Sequence, residues 1–135
     1  MSKTFKITIV TSGKEPIEFE GEALITSTKD GKVEFKSNHA PIITSTVPTT
    51  TTIVNGSTRE EVFTSSGIVY IKNNEIKFCC DAAERSADID RERALKSKER
   101  AEKRLKENNN NIDIERAKRA LARANARIST ISIND

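Results

Sequence analysis

At 135 residues, 32% of them charged, with no Trp and five Phe, the chain has material for one modest core and an appendage. It contains no apolar run long enough to cross a bilayer, and its start, M-S-K-T-F-K-I-T-I-V, lacks the long hydrophobic stretch and cleavage site of a signal peptide, so a cytoplasmic protein without direct membrane insertion is expected. The formal charge of +3 is uneven: residues 1–83 carry nine basic against ten acidic side chains and residues 84–135 fourteen against ten, a mild excess that suits an anionic small molecule or an acidic protein surface and excludes a nucleic-acid arm.

The first part alternates with period two and is rich in β-branched residues. Phe5–Ile9, Ile17–Glu20, Glu61–Thr64, Ile68–Ile71 and Glu75–Phe78 read as short strands. Asp30-Gly31 and Asn55-Gly56 are hairpin dipeptides, Lys72-Asn73-Asn74-Glu75 is a further tight connection, and Pro16, Pro41 and Pro48 punctuate loops or edges. The run Thr49–Thr52 favours a strand, read here as solvated. Many short strands with frequent turns indicate a small antiparallel sandwich or flattened barrel. Cys79 and Cys80, adjacent behind Phe78, cannot close an ordinary bridge to each other, and the sequence offers them no zinc partners; reduced thiols in a strand are expected.

From about Asp81 the composition shifts to Ala, Arg, Lys and Glu and the period becomes helical, with no Gly or Pro. Asn108–Asn111 interrupts the pattern, which predicts an αα-hairpin with its turn at 108–112. The expected division is therefore a β domain over 1–83 and a helical hairpin over 84–135. The hexapeptide I-D-R-E-R-A at Ile89 returns as I-D-I-E-R-A at Ile112. In both copies the Asp stands where a helix N-cap belongs, Asp90 and Asp113, with a Glu two residues later facing the positive end of the dipole.

In the second helix Ile114, Ala117, Leu121, Ala124, Ile128 and Ile131 form a seam, which Ala94, Lys98, Ala101 and Leu105 of the first answer with small or partly polar side chains. So thin a contact requires the hairpin to lean on the β domain, a partner or a ligand, and predicts an element with more than one docked position. Arg116, Arg119, Arg123 and Arg127 lie roughly 120° from one seam, and Arg93, Arg100 and Arg104 roughly 105° from the other, on the same broad face. Such a face is either solvated and paired to nearby acids or able to converge on a polyphosphate through forked, charge-assisted hydrogen bonds.

The order of these pieces resembles a family. Asn38-His39-Ala40-Pro41-Ile42-Ile43-Thr44 is similar to its G-H-A-P-L-L-T, Ser66-Gly67-Ile68-Val69 to its S-G-G-F/I, and D-A-A-E-R-S-A-D-I-D-R-E-R-A to its sandwich–hairpin junction. The family is the epsilon subunit of the F-type ATP synthase, and the resemblance spans essentially the whole chain. It implies a ten-stranded β-sandwich with a C-terminal helical hairpin, a non-catalytic regulator and coupler peripheral on the inner face of the bacterial cell membrane. Its implied partners are the gamma subunit, the c-ring of the membrane sector and, when the hairpin extends, the alpha/beta catalytic head, whose ATP hydrolysis it then blocks. The residues agree with a non-catalytic role: His39 is the sole histidine and has no evident Ser or Cys partner, which leaves it a turn or contact role.

Some bacterial members bind ATP on the folded hairpin through an I/L-D-x-x-R-A motif. The resemblance thus implies no required cofactor but ATP as a regulatory ligand, held here by Ile89, Asp90, Arg93 and Ala94, with Glu84 just before the first helix, Arg100 within it, and Arg123 and Arg127 in the second. The copy at Ile112 lacks the surrounding acids and bases and is read as a cap. Where relatives carry a G-E-x-G-I-x-P-G loop, this chain has Gly31–Asn38, which keeps one glycine and loses the proline; Glu34 is then no specific contact, whereas His39 is. Two other readings are a free-standing adaptor binding nucleotide or an acidic partner through the hairpin, and a small RNA-binding β protein, which the acidic, aromatic-poor β part opposes.

Overall fold

The computed structural model describes residues 3–107 and 111–133. Ten strands come first: β1 (Phe5–Val10), β2 (Ile17–Gly21), β3 (Ala23–Thr28), β4 (Gly31–Lys36), β5 (Ile42–Thr46), β6 (Thr49–Asn55), β7 (Thr58–Thr64), β8 (Gly67–Lys72), β9 (Glu75–Cys80) and β10 (Ala83–Arg85). They form two five-stranded sheets, ordered β2-β1-β9-β8-β5 and β10-β7-β6-β3-β4. Strands β1 and β9 run parallel, and neighbouring pairs such as β6–β7 and β8–β9 are antiparallel hairpins. Alternation places Ile7, Ile9, Leu24, Ile53, Val62, Val69, Ile71, Ile76 and Phe78 between the sheets as one buried cluster. Each such side chain contributes on the order of 1.5–3 kcal/mol by leaving water.

The turns follow from their residues. Asn73 and Asn74 both take positive φ, 52° and 57°, the mirror-image geometry that matches strand twist in a two-residue hairpin. At Gly67 the requirement is closeness: a Cβ there would collide with the Cys79 carbonyl oxygen and with Cys80 of the paired strand.

Four expectations need correction. The threonine run is not solvated throughout: Thr51 is fully buried, its hydroxyl 2.9 Å from Thr26 Oγ1 and 2.7 Å from Thr64 Oγ1, so β-propensity served a hydrogen-bonded interior row. Much of segment 31–38 is not a loop but β4, paired with β3 from Ala23↔Lys36 to Thr28↔Gly31. The second sheet runs past residue 83, because β10 adds Glu84 and Arg85 to β7. Glu84 therefore sits on a strand, separated from the helices by a 3-10 turn, Ser86–Asp88.

The fourth concerns the caps. Helix α1 (Arg91–Lys106) starts as predicted, with Asp90 Oδ1 accepting the Arg93 amide at 3.0 Å. Helix α2 (Asn111–Ile133) begins two residues before Asp113, which occupies the first turn and acts there on the dipole rather than as a cap. Asn111 and Ile112, predicted in the turn, are helical, and Asn108–Asn110 of that predicted turn lie outside the described residues.

The helices meet through buried alanines, Ala94 and Ala101 from α1 and Ala117 and Ala124 from α2. Helix α2 lies along β6 and β7 on the outer face of the second sheet, and α1 packs against α2. The hairpin leans on the β domain, one of the supports its thin seam called for.

Candidate functional site

Strand register builds the floor of the site. Glu84 of β10 pairs with Phe63 of β7, and Phe63 with Thr50 of β6, so the three form one row on the outer face of the second sheet. Their opposite-parity neighbours, Val62 and Thr51, point into the core. Two residues of α2 one turn apart drop onto this row. Arg127 donates from Nε to Glu84 Oε1 at 2.5 Å and lays its guanidinium over the Phe63 ring, 4.4 Å from the centroid. Thr130 meets Thr50, hydroxyl to hydroxyl, at 2.8 Å, and its own hydroxyl also donates to the Ala126 carbonyl. Phe63 is fully buried yet lies outside the apolar cluster between the sheets, because its cover is the hairpin.

Beside that row opens a cavity of about 410 Å³, in the size range of small-ligand clefts. Strand β10 and α2 supply Glu84 and Arg127, and the 3-10 turn and the start of α1 supply Asp88, Asp90, Arg93, Ala94 and Ser97. Lys14, from the loop between β1 and β2, and Ala82 complete it. Three cations thus face three carboxylates. Two of the carboxylates are engaged, Glu84 with Arg127 and Asp90 with the α1 amide.

Of the residues named from the sequence, Glu84, Asp90, Arg93, Ala94 and Arg127 meet in this one cavity. Arg100 stands one turn along α1 and donates to Ser97 Oγ at 3.2 Å, so it touches a wall without lining the space. Ile89 and Arg123 are half-buried and do not line it. Lys14, Asp88 and Ser97 escaped the sequence reading: Asp88 and Ser97 lie within helical spacing of the motif and were within reach, whereas Lys14 arrives through a tertiary contact. His39 lies elsewhere, with its ring edge-on to Phe35 at 5.4 Å between centroids and its Nδ1 2.7 Å from the Ala40 carbonyl oxygen.

The bare outer face of the first sheet has a different character. Ile43 and Tyr70 are cross-strand partners and exposed, and Ile68, two residues before Tyr70 on the same face, is exposed with them; Ile42, paired with buried Ile71, is exposed on the edge strand. Among the described residues no helix is long and apolar enough to cross a membrane, and no group of three or more His, Cys, Asp or Glu is placed to hold a metal ion.

The family model for the ATP synthase delta/epsilon chain, β-sandwich domain, matches residues 4–86, and that for its long α-helix domain matches 87–132. The ATP synthase epsilon chain of Clostridium novyi is 41% identical over 132 residues, covering 97% of this chain and 100% of that one; the Clostridium kluyveri chain is 42% identical with 97% and 99% covered. In fold the chain is similar to one from the Euglena gracilis mitochondrial ATP synthase, OSCP/F1/c-ring assembly (TM-score 0.80, 16% identity, 93% of this chain and 80% of that one). It is also similar to one from the Tetrahymena thermophila mitochondrial ATP synthase central stalk/c-ring (TM-score 0.62, 14% identity, 96% and 97%). With both domains matched in order and relatives above 40% identity along nearly the whole length, the chain belongs to the epsilon chains of ATP synthase, a non-catalytic stalk subunit of that complex.

Proposed function

We propose that this subunit couples the gamma subunit to the c-ring, and that its hairpin switches between this compact state and an extended one that restrains ATP hydrolysis, with ATP favouring the compact state. The observation that carries the reading is the cavity: its walls come from β10, the 3-10 turn, α1, α2 and the β1–β2 loop, so lifting α2 off the sheet would take it apart. A ligand that binds only the assembled cavity stabilises the compact state by RT ln(1 + [ATP]/Kd), about 2.7 kcal/mol at a hundredfold excess over Kd.

The contacts that hold α2 suit a reversible joint. Among the described residues they include a threonine pair, an ion pair and a cation–aromatic stack, so separation exposes many groups that water can satisfy, with Phe63 as an apolar anchor. Once α2 leaves, Arg93, Arg123 and Arg127 are free to meet acidic segments of the alpha/beta head, which makes the two states mutually exclusive. The exposed Ile42, Ile43, Ile68 and Tyr70 support docking of the first sheet on the stalk, and attachment through partners makes the subunit peripheral on the inner membrane face. The full-length family match favours this role over a free-standing adaptor.

Calorimetric titration of the isolated protein with ATP, with ADP and Arg127→Ala as controls, tests the ligand. Saturable binding that prefers ATP and weakens in the variant is expected. No binding up to millimolar ATP would overturn the sensor and leave any regulation by the hairpin to its protein partners.

A further inference from the structure

One wall of the cavity belongs to neither helix. Lys14 stands in the loop between β1 and β2, directly after Gly13, whose φ of +76° turns the chain there. Of the three cations around the space, Arg127 is taken by Glu84 and the Phe63 ring. The side chains of Lys14 and Arg93 have no ion-pair or hydrogen-bond partner among the described residues. The two come from separate parts of the fold, a sandwich loop and α1, and α1 otherwise packs against α2. Two unpaired cations on separate walls of one cleft bind a chain of phosphates better than either does alone, because each phosphate oxygen accepts a charge-assisted hydrogen bond. The remaining carboxylate, Asp88 on the 3-10 turn, has no partner among the described residues and is an acceptor suited to hydroxyl or amino donors, so the site is polar end to end rather than uniformly basic.

We propose that Lys14 binds the phosphates of the nucleotide, so that the ligand joins the β1–β2 loop to α1 across the cavity. This rests on the nucleotide reading above and adds a residue outside the hairpin motif to it. The ligand then ties the outermost helix directly to the sandwich, a link that the protein contacts of α1 with α2 do not supply.

The test is calorimetric titration of the full chain with ATP, as wild type, Lys14→Ala and Lys14→Arg. Lys14 is exposed and its loop holds no core residue beyond Thr11, so the variants are expected to melt as the wild type does without ligand. Losing the charge is expected to weaken ATP binding by about tenfold, with Lys14→Arg retaining most of the affinity. Unchanged affinity in Lys14→Ala, or an equal loss in Lys14→Arg, would overturn the role of Lys14 and leave the nucleotide reading standing. Failure of the wild type to bind ATP would overturn both.

Discussion

Burial at the end of β9 pushes the Cys80 thiol up from its ordinary value to about 12, with the neighbouring Cys79 and Asp81 adding to the effect. The folded state therefore keeps the proton that the unfolded state releases above pH 9.0. This contribution to stability is complete below that pH and declines as pH rises toward 12. Alkylation at pH 8 is expected to modify the half-buried Cys79 and to spare Cys80 until the protein unfolds, which peptide mapping would read. Hydroxyls in the same core differ as sharply. Thr51 bridges Thr26 and Thr64, so Thr51→Val strands two buried partners and is expected to cost about 1–3 kcal/mol in urea unfolding. Among the described residues Thr46 Oγ1 is buried without a partner, so Thr46→Val is expected to be neutral or stabilising.

At the scale of elements, the two copies of the hexapeptide part company. Asp90→Ala removes a real cap and is expected to cost about 1 kcal/mol, read as a lower unfolding midpoint and lost helicity. Asp113→Ala, a change within the first turn of α2, is expected to cost a few tenths of a kcal/mol. The alanine seam makes the opposite demand: Ala124→Leu puts bulk where two backbones approach and is expected to destabilise the hairpin by about 1–3 kcal/mol. Periodicity made β1, β2, β7, β8 and β9 legible, along with both helices, because one face of each is apolar. It left β3, β4, β5 and β10 unread: β10 has three residues, and the solvent-facing Lys and Glu of β4 match a polar loop as well as an edge strand. The site was half legible for a related reason. Helical spacing put Arg93 and Arg127 on one face, but only the register Glu84↔Phe63↔Thr50 decides which arginine reaches the sheet, and no local pattern carries Lys14 to them.

For the whole molecule, the joint between hairpin and sandwich is the part that can change without loss of the core, since the apolar cluster lies entirely within residues 5–83. Arg127→Ala removes the ion pair and the ring contact together. It is expected to weaken docking by about 1–2 kcal/mol. Amide exchange would show this as faster exchange across α2 with the protection of β1, β8 and β9 unchanged. Slowed exchange in α2, or equal loss in the sandwich strands, would contradict a separable joint.

The parallel pairing of β1 with β9 also orders events in time. β1 lies between β2 and β9, so the first strand to leave the ribosome waits for one that ends at Cys80 before its sheet is whole. Until then, β1 can shelter only in its hairpin with β2, and Ile7 and Ile9 lack the opposite half of their cover. The sandwich thus closes late and all at once, and the hairpin, which follows it in the chain, finds a finished surface to settle on.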